Sequence, residues 1–312
     1  MTTALIAHPA GLAHVNPPGH PERVARLERL LAEFAAPEFS ALVRIEAPQA
    51  DEAAILRAHP AAYLARLRAQ IPKVEYSAID ADTYLSPTSW DAVLRAAGAA
   101  VHGVDLVMSG AAQNAFALMR PPGHHAERAT AMGFCFLGNV VIAAKHALEH
   151  HGLSRVAILD FDVHHGNGTQ DLVWDDGRIA YCSSHQSPLY PGTGRADERG
   201  AHGNILNIPL PAGTDGAGFQ AEMRRQALPF LADHNPELIL ISAGFDAHRL
   251  DPLANLNLEG EDFGWITREL CNLAAETAQG RVVSVLEGGY DLDGLADGAL
   301  AHMRALMEAG HG

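Results

Sequence analysis

Short, continuous apolar runs punctuate this chain at 115–119, 156–161, 179–183, 205–208, 238–242 and 282–286. Around them lie longer stretches whose apolar positions recur at helical spacing, at 21–34, 89–109, 138–150, 216–233, 261–278 and 292–307. Runs that do not alternate apolar with polar residues mark strands buried on both faces, as in a parallel sheet covered by helices. The two element types alternate along most of the chain, with no repeat, low-complexity tract or long linker. The pattern predicts one α/β domain over residues 1–312, an open, mostly parallel sheet with helices on both faces.

In such sheets, ligands bind beyond the carboxyl ends of the strands. Four of the predicted strands run into polar clusters there. The run 115–119 leads into Arg120-Pro-Pro-Gly-His124-His125, and 156–161 into Asp162-Val-His164-His165-Gly-Asn167-Gly. The run 238–242 leads into Ala-Gly-Phe-Asp246-Ala-His248, and 282–286 into Glu-Gly288-Gly289-Tyr290. Four clusters at four such ends converge on one crevice.

Asp162 and His164 are two apart, so on extended backbone they face the same way, and Asp246 joins them from another strand end. One imidazole and two carboxylates, with room for water, suit a catalytic Zn²⁺ held by three protein ligands. Such an ion brings the pKa of its water to roughly 7 and polarises a carbonyl oxygen. A lone D-x-H is more often an ordinary loop, and it is the neighbouring clusters that raise this one above that reading. His124 and His125, in a Pro-Gly turn, can supply a general base and an electrostatic partner; the bland alternative is a solvated turn. Gly288-Gly289 lets the backbone approach a ligand, leaving the Tyr290 hydroxyl to donate to a developing oxyanion. By itself G-G-Y is an ordinary loop. Of the 18 histidines, His59, His102, His146, His150, His151, His234, His302 and His311 are given no role.

Composition narrows the classes. With 48% hydrophobic and 19% charged residues, the chain has enough apolar material for a large core. A net charge of −15 argues against a nucleic-acid partner. Cys135, Cys182 and Cys271 are far apart, with no C-x-x-C pair, which fits a reducing compartment. The start MTTALIAHPAG lacks the form of a signal peptide, and no run approaches the roughly 18 apolar residues of a membrane helix. The expectation is a cytoplasmic protein with no membrane partner.

Six motifs in order make the chain resemble the histone deacetylase family: R-P-P-G-H-H-A (120–126), G-F-C-F-L-G-N (133–139), D-F-D-V-H-H-G-N-G-T (160–169), Y-P-G-T-G (190–194), S-A-G-F-D-A-H (242–248) and L-E-G-G-Y (286–290). The resemblance spans about 14 to 300. H-P-E-R (20–23) and the wording around 185–194 are similar to the class II branch and its bacterial relatives. It implies the arginase/deacetylase fold and hydrolysis of the acetyl amide of acetyl-lysine or a similar acylated amine. It implies Zn²⁺ on Asp162, His164 and Asp246, with His124 and His125 as the tandem pair and His125 as base. Asp160 then supports His124, and Asn167, an aspartate in class I members, supports His125. Because Asn167 carries no charge, His125 should be less basic than with an aspartate. Tyr290 is the carbonyl-polarising tyrosine. Phe134 and Gly133 match the walls of the acyl-lysine channel, with Gly288 and Leu253 beside the substrate and Tyr190 near the rim. A K⁺ or Na⁺ ion is implied at Asp160, Asp162, His164, Ser183 and Ser184, and Arg26 matches an arginine beside the product channel.

Polyamine-selective relatives carry a glutamate where Asp251-Pro252-Leu253 has its leucine. The resemblance therefore favours acetyl-lysine, with an acetylpolyamine as the alternative and Asp80, Asp82 and Glu198 as other acidic candidates. A dimanganese ureohydrolase of the arginase type would need further aspartates, where this chain has His165 and His248. A non-catalytic acyl-amine binder is disfavoured by retention of the whole set. The physiological substrate and the oligomeric state stay open.

Overall fold

A computed structural model of the chain describes residues 2–310, so His311 lies outside the described residues. The strands are β1 (Thr3–Ala7), β2 (Val43–Glu46), β3 (Ser77–Ala78), β4 (Tyr84–Leu85), β5 (Asn114–Ala117), β6 (Val156–Asp160), β7 (Ile179–Gln186), β8 (Ile205–Leu210), β9 (Ile239–Ala243) and β10 (Val282–Leu286). Eight form one sheet in the order β2-β1-β5-β10-β9-β6-β7-β8, and every pairing within it is parallel. The remaining β3 and β4 make a small antiparallel pair.

Successive strand residues serve opposite faces. Ala115, Val156, Ile158, Val283 and Val285 pack on one side with helices Ser89–Ser109 and Asn139–Glu149. Phe116, Ala157, Leu159, Val282 and Leu286 pack on the other with Val24–Glu33, Gly260–Thr277 and Leu292–Ala309. Both faces are dry, which is why the strand sequences are unbroken apolar runs.

The expected six strands and six helices are present, with ends shifted by a few residues. Sequence periodicity missed β1 and β2 and the helices Ala61–Ala69 and Asn167–Val173. The stretch expected as one helix at 216–233 contains a π turn, Met223–Ala227, between Gly216–Glu222 and Leu228–His234. Pro229, just after it, has no N–H for the normal ladder. One expectation is corrected. Helix Ser89–Ser109 is long and apolar enough, by length and composition alone, to cross a membrane; 61% of its apolar window is buried inside the protein.

Topology explains the crevice. The chain lays down β1, β2 and β5, jumps to β6, β7 and β8, and returns to insert β9 and β10 between β5 and β6. The four strands that end in polar clusters are therefore consecutive neighbours, β5-β10-β9-β6, at a switch in strand order.

Candidate active site

Asp162 and His164 follow β6, and Asp246 follows β9, the strand hydrogen-bonded to it. His164 Nδ1 stands 3.1 Å from Asp162 Oδ1 and 3.2 Å from Asp246 Oδ2. One ligand atom from each of the three lies within 4.8 Å of the others, and all three residues are buried. Burial works against a charged imidazole, but the two carboxylates outweigh it and push the His164 pKa up to about 10. Asp246 is pushed up to about 7 by burial and by Asp162. Two buried carboxylates and one imidazole nitrogen make a donor set that suits a catalytic zinc ion.

Two neighbours keep this centre in place. The Gly288 N–H donates to Asp162 Oδ2 at 2.8 Å, and the Val163 N–H to Asp246 Oδ1 at 2.9 Å. A Cβ at Gly288 would lie 2.1 Å from Asp246 Oδ2, so glycine is required there for room. Gly288, expected beside the substrate, lies directly against both carboxylates. His165 and His248 do not join the centre: His165 meets Thr193 and Gln170, and His248 meets Asp297.

The two histidines after β5 are tuned oppositely. His124 donates from Nδ1 to Asp160 Oδ2 at 3.0 Å, and its Nε2 is 3.7 Å from Asp162 Oδ2. Burial opposes its charge, yet Asp162 and Asp160 hold its pKa well above the usual value. His125 donates from Nδ1 to Asn167 Oδ1 at 2.8 Å. Burial, then the neighbouring His124 and His164, hold its pKa well below the usual value. A neutral imidazole in contact with a charged one is suited to accept a proton.

Sequence reasoning missed four carboxylates around this centre. Asn167 Nδ2 donates to Glu127 Oε1 at 2.9 Å, so a charge does stand behind the neutral amide. Glu287 Oε2 accepts from the Gly123 N–H at 2.7 Å and the His124 N–H at 3.2 Å, fixing the tandem-histidine turn. Burial raises the Glu287 pKa to about 7. Asp251 accepts from the Tyr290 N–H at 2.7 Å. Glu22 is buried between Arg26 and Arg120. Apart from the Glu22–Arg26 pair, four residues apart, these contacts link residues far apart in sequence, which no local pattern reveals.

A cavity of about 390 Å³ opens over the centre, lined by His125, His164, Phe134, Tyr190, Leu253 and Tyr290, with His20, Asp82 and Gly133 among the other walls. Phe134 holds φ +69°, its ring 5.8 Å from Tyr290 and 4.8 Å from His20. Gly133 (φ +55°) lies against His125, where a Cβ would be 2.5 Å from the ring. Tyr190, 39% exposed, places its ring 5.2 Å from His125. Burial and the Asp246 charge raise the Tyr290 pKa well above the usual value, so its hydroxyl keeps its proton.

Arg26 lies with its guanidinium 5.0 Å from the centre of the Tyr290 ring. Its nitrogens donate to the Gly289 carbonyl at 2.5 Å, the Glu287 carbonyl at 2.6 Å and Glu22 at 3.1 Å. It braces the tyrosine loop. On the far side of the centre, Ser183 pairs in register with Asp160 across β6 and β7. The Ser183 hydroxyl is 3.0 Å from His185 Nδ1, and the buried Ser184 hydroxyl has no partner.

Comparison with known proteins gives the family and the fold. Residues 20–306 match the family described as Histone deacetylase domain. A "Probable deacetylase" of Archaeoglobus fulgidus is 38% identical over 300 residues, covering 94% of this chain and 83% of that protein. "Polyamine deacetylase HDAC10" of Homo sapiens is 37% identical over 279 residues, 85% of this chain and 41% of that protein. The crystal structure of the HDA15 HD domain superposes with a TM-score of 0.92 at 31% identity, covering 99% of this chain and 89% of that one. With the family's domain matched over most of its length and the fold shared, the chain belongs to the histone deacetylase family and is a hydrolase of that class.

Proposed function

We propose that this chain is a zinc-dependent deacetylase that hydrolyses the acetyl amide of acetyl-lysine or a similar acylated amine, releasing acetate. The observation that carries it is the convergence of Asp162 and Asp246 on His164 at the floor of a pocket shared with His125 and Tyr290. Asp162, His164 and Asp246 would hold the Zn²⁺. Bound there, it acidifies a water and polarises the acetyl carbonyl. His125, held neutral, takes the proton of the attacking water. The Tyr290 hydroxyl donates to the oxygen of the tetrahedral adduct, and the C–N bond breaks as His125 returns its proton to the amine nitrogen. His124, cationic against Asp160, keeps His125 from holding that proton. Phe134 and Tyr190 flank the lysine stem. The unpartnered Ser184 hydroxyl and the Asp160–Ser183 register support a K⁺ or Na⁺ ion beside β6. Three buried free cysteines fit a cytoplasmic setting.

Leu253 at the pocket offers apolar contact and no charge for a second ammonium, which favours acetyl-lysine. A second reading, an acetylpolyamine, is favoured by Asp82, a carboxylate on the same pocket wall. The test compares kcat/KM for an acetyl-lysine peptide with that for acetylputrescine and acetylspermidine. Preference for the peptide is expected, with Leu253→Glu moving the ratio towards the polyamine. A preference of about tenfold or more for the polyamine, abolished by Asp82→Asn, would establish the second reading. Asp246→Ala should remove tightly held zinc and all turnover. Two Mn²⁺ ions lost together in that variant would instead mean a dimanganese centre.

A further inference from the structure

The end of the molecule opposite the pocket carries another gathering of metal-binding side chains. Helices Ser89–Ser109 and Asn139–Glu149 both finish at the edge of the sheet where β5 and β6 begin. Asp105 lies in the last turns of the first, His146 in the last turn of the second, and His150 and His151 follow directly. The Nε2 atoms of His146 and His151 stand 2.7 Å and 2.8 Å from the same oxygen, Asp105 Oδ1. The rings of His146 and His150 stack at 4.7 Å, and those of His150 and His151 meet edge-on at 4.9 Å. One ligand atom from each of these four residues lies within 4.8 Å of the others. His146 is buried, Asp105 and His151 are half-buried and His150 is exposed, so an ion reaches the cluster from solvent.

None of these residues touches the catalytic pocket, and helix packing alone does not require three imidazoles around one carboxylate. Asp105 Oδ1 satisfies two imidazoles only while both keep a proton on Nε2. A cation replacing those protons would use all four groups at once. Burial lowers the His146 pKa despite the Asp105 charge, which keeps the neutral imidazole that ligation needs. The i, i+4 spacing of His146 and His150 is that of a helical metal-binding pair. Both helices also point their carbonyl ends at the spot, which favours positive charge. Arg57 opposes an ion there: its Nη1 lies 3.3 Å from His146 Nδ1, and the residue is half-buried.

We propose that Asp105, His146, His150 and His151 form a second metal site that clips the two helices together. Three imidazoles and a carboxylate select a borderline divalent cation such as Zn²⁺, Ni²⁺ or Co²⁺ over Mg²⁺ or Ca²⁺. The proposal is independent of the chemistry assigned to the pocket.

The test is calorimetric titration of tag-free protein, its tightly held metal left in place, with Zn²⁺ and separately with Ni²⁺. One further equivalent is expected. Because loss of an outer-shell partner already costs 10- to 100-fold, removing two direct ligands in His150→Ala/His151→Ala should weaken it by about 100-fold or more. Deacetylase activity without added metal should be unchanged in that variant. At 100 times its dissociation constant the ion should raise the parent's Tm by about 4 °C and leave the variant's unmoved. Asp105→Asn, which keeps the shape of the site, should also weaken uptake. A parent that takes up no further equivalent, or a double variant that binds it as well as the parent, would overturn the proposal.

Discussion

Replacing Glu22 by Gln should destabilise the fold by leaving two buried arginines, Arg26 and Arg120, without the counter-charge they share. Glu22, Arg26 and Arg120 are each 0% exposed. The carboxylate accepts from Arg26 Nη1 at 3.1 Å, from Arg120 Nη2 at 2.7 Å and from Arg120 Nε, and from Asn16 Nδ2 at 2.9 Å. What remains to the arginines after the change is neutral: the Gly289 and Glu287 carbonyls for Arg26, and the Gly11 and His14 carbonyls for Arg120. Removing one partner of a buried ion pair costs about 3–5 kcal/mol, because a charge is left uncompensated away from water. At roughly 2.1 cal/mol/K per residue, a chain of 312 residues unfolds with an entropy of about 0.65 kcal/mol/K, so Tm should fall by about 5–8 °C. Burial acts to raise the Glu22 pKa, but the two guanidiniums prevail and hold it well below the usual carboxylate range. A depressed folded pKa gives stability that is complete above the unfolded value, near 4.3, and is lost as pH falls towards the folded one. Scanning calorimetry across pH should therefore find a constant gap between parent and variant from about pH 6 to 8, closing in acid. A gap under about 2 °C at pH 7, or one that widens in acid, would refute the reasoning.

Tyr290→Phe should keep its metal and its hydroxamate binding while losing about 10²–10³ in kcat, the usual cost of one oxyanion donor; near-parental turnover would remove the assigned role. Gly288→Ala drives a methyl group towards Asp246 Oδ2 and Asp162 Oδ2, at 2.1 Å and 2.6 Å, so dialysis against a chelator should strip its metal far sooner than the parent's. Equal retention would mean that the carboxylates do not hold it. Asn167→Asp, combined with Glu127→Gln to avoid two facing carboxylates, puts a negative charge on His125 and raises its pKa. A base is useless once protonated, so the acid limb of the kcat/KM profile should move to higher pH, and an unmoved or lower limb would reject His125 as that base.

The central strands and the chemistry at their ends were legible because both leave local traces. Buried parallel strands read as apolar runs, and Asp162, His164, His124, His125, Asp246 and Tyr290 sit directly after them. The edges left weaker traces. Three of the four residues of β2 are exposed and the fourth is half-buried, so no apolar run exists to find. The supporting shell was the least visible part. Glu287 holds a turn 163 and 164 residues away, and Asp251 a backbone N–H 39 residues away, through single hydrogen bonds that impose no period on the sequence. His146, His150 and His151 looked ordinary because their partner, Asp105, comes from another helix.

The late return of the chain to the middle of its sheet orders events during synthesis. When residue 235 has left the ribosome, β5 and β6 exist, but the strands that separate them do not. At that stage the chain owns Asp162 and His164 and lacks Asp246, Glu287 and Tyr290. Hydrophobic strand edges stay open at its centre until the last quarter arrives, the kind of exposure that favours aggregation of incomplete chains. Any ion held by Asp162, His164 and Asp246 is consequently captured only after β9 has arrived, and a product terminated before it lacks both Asp246 and the strands that close its core.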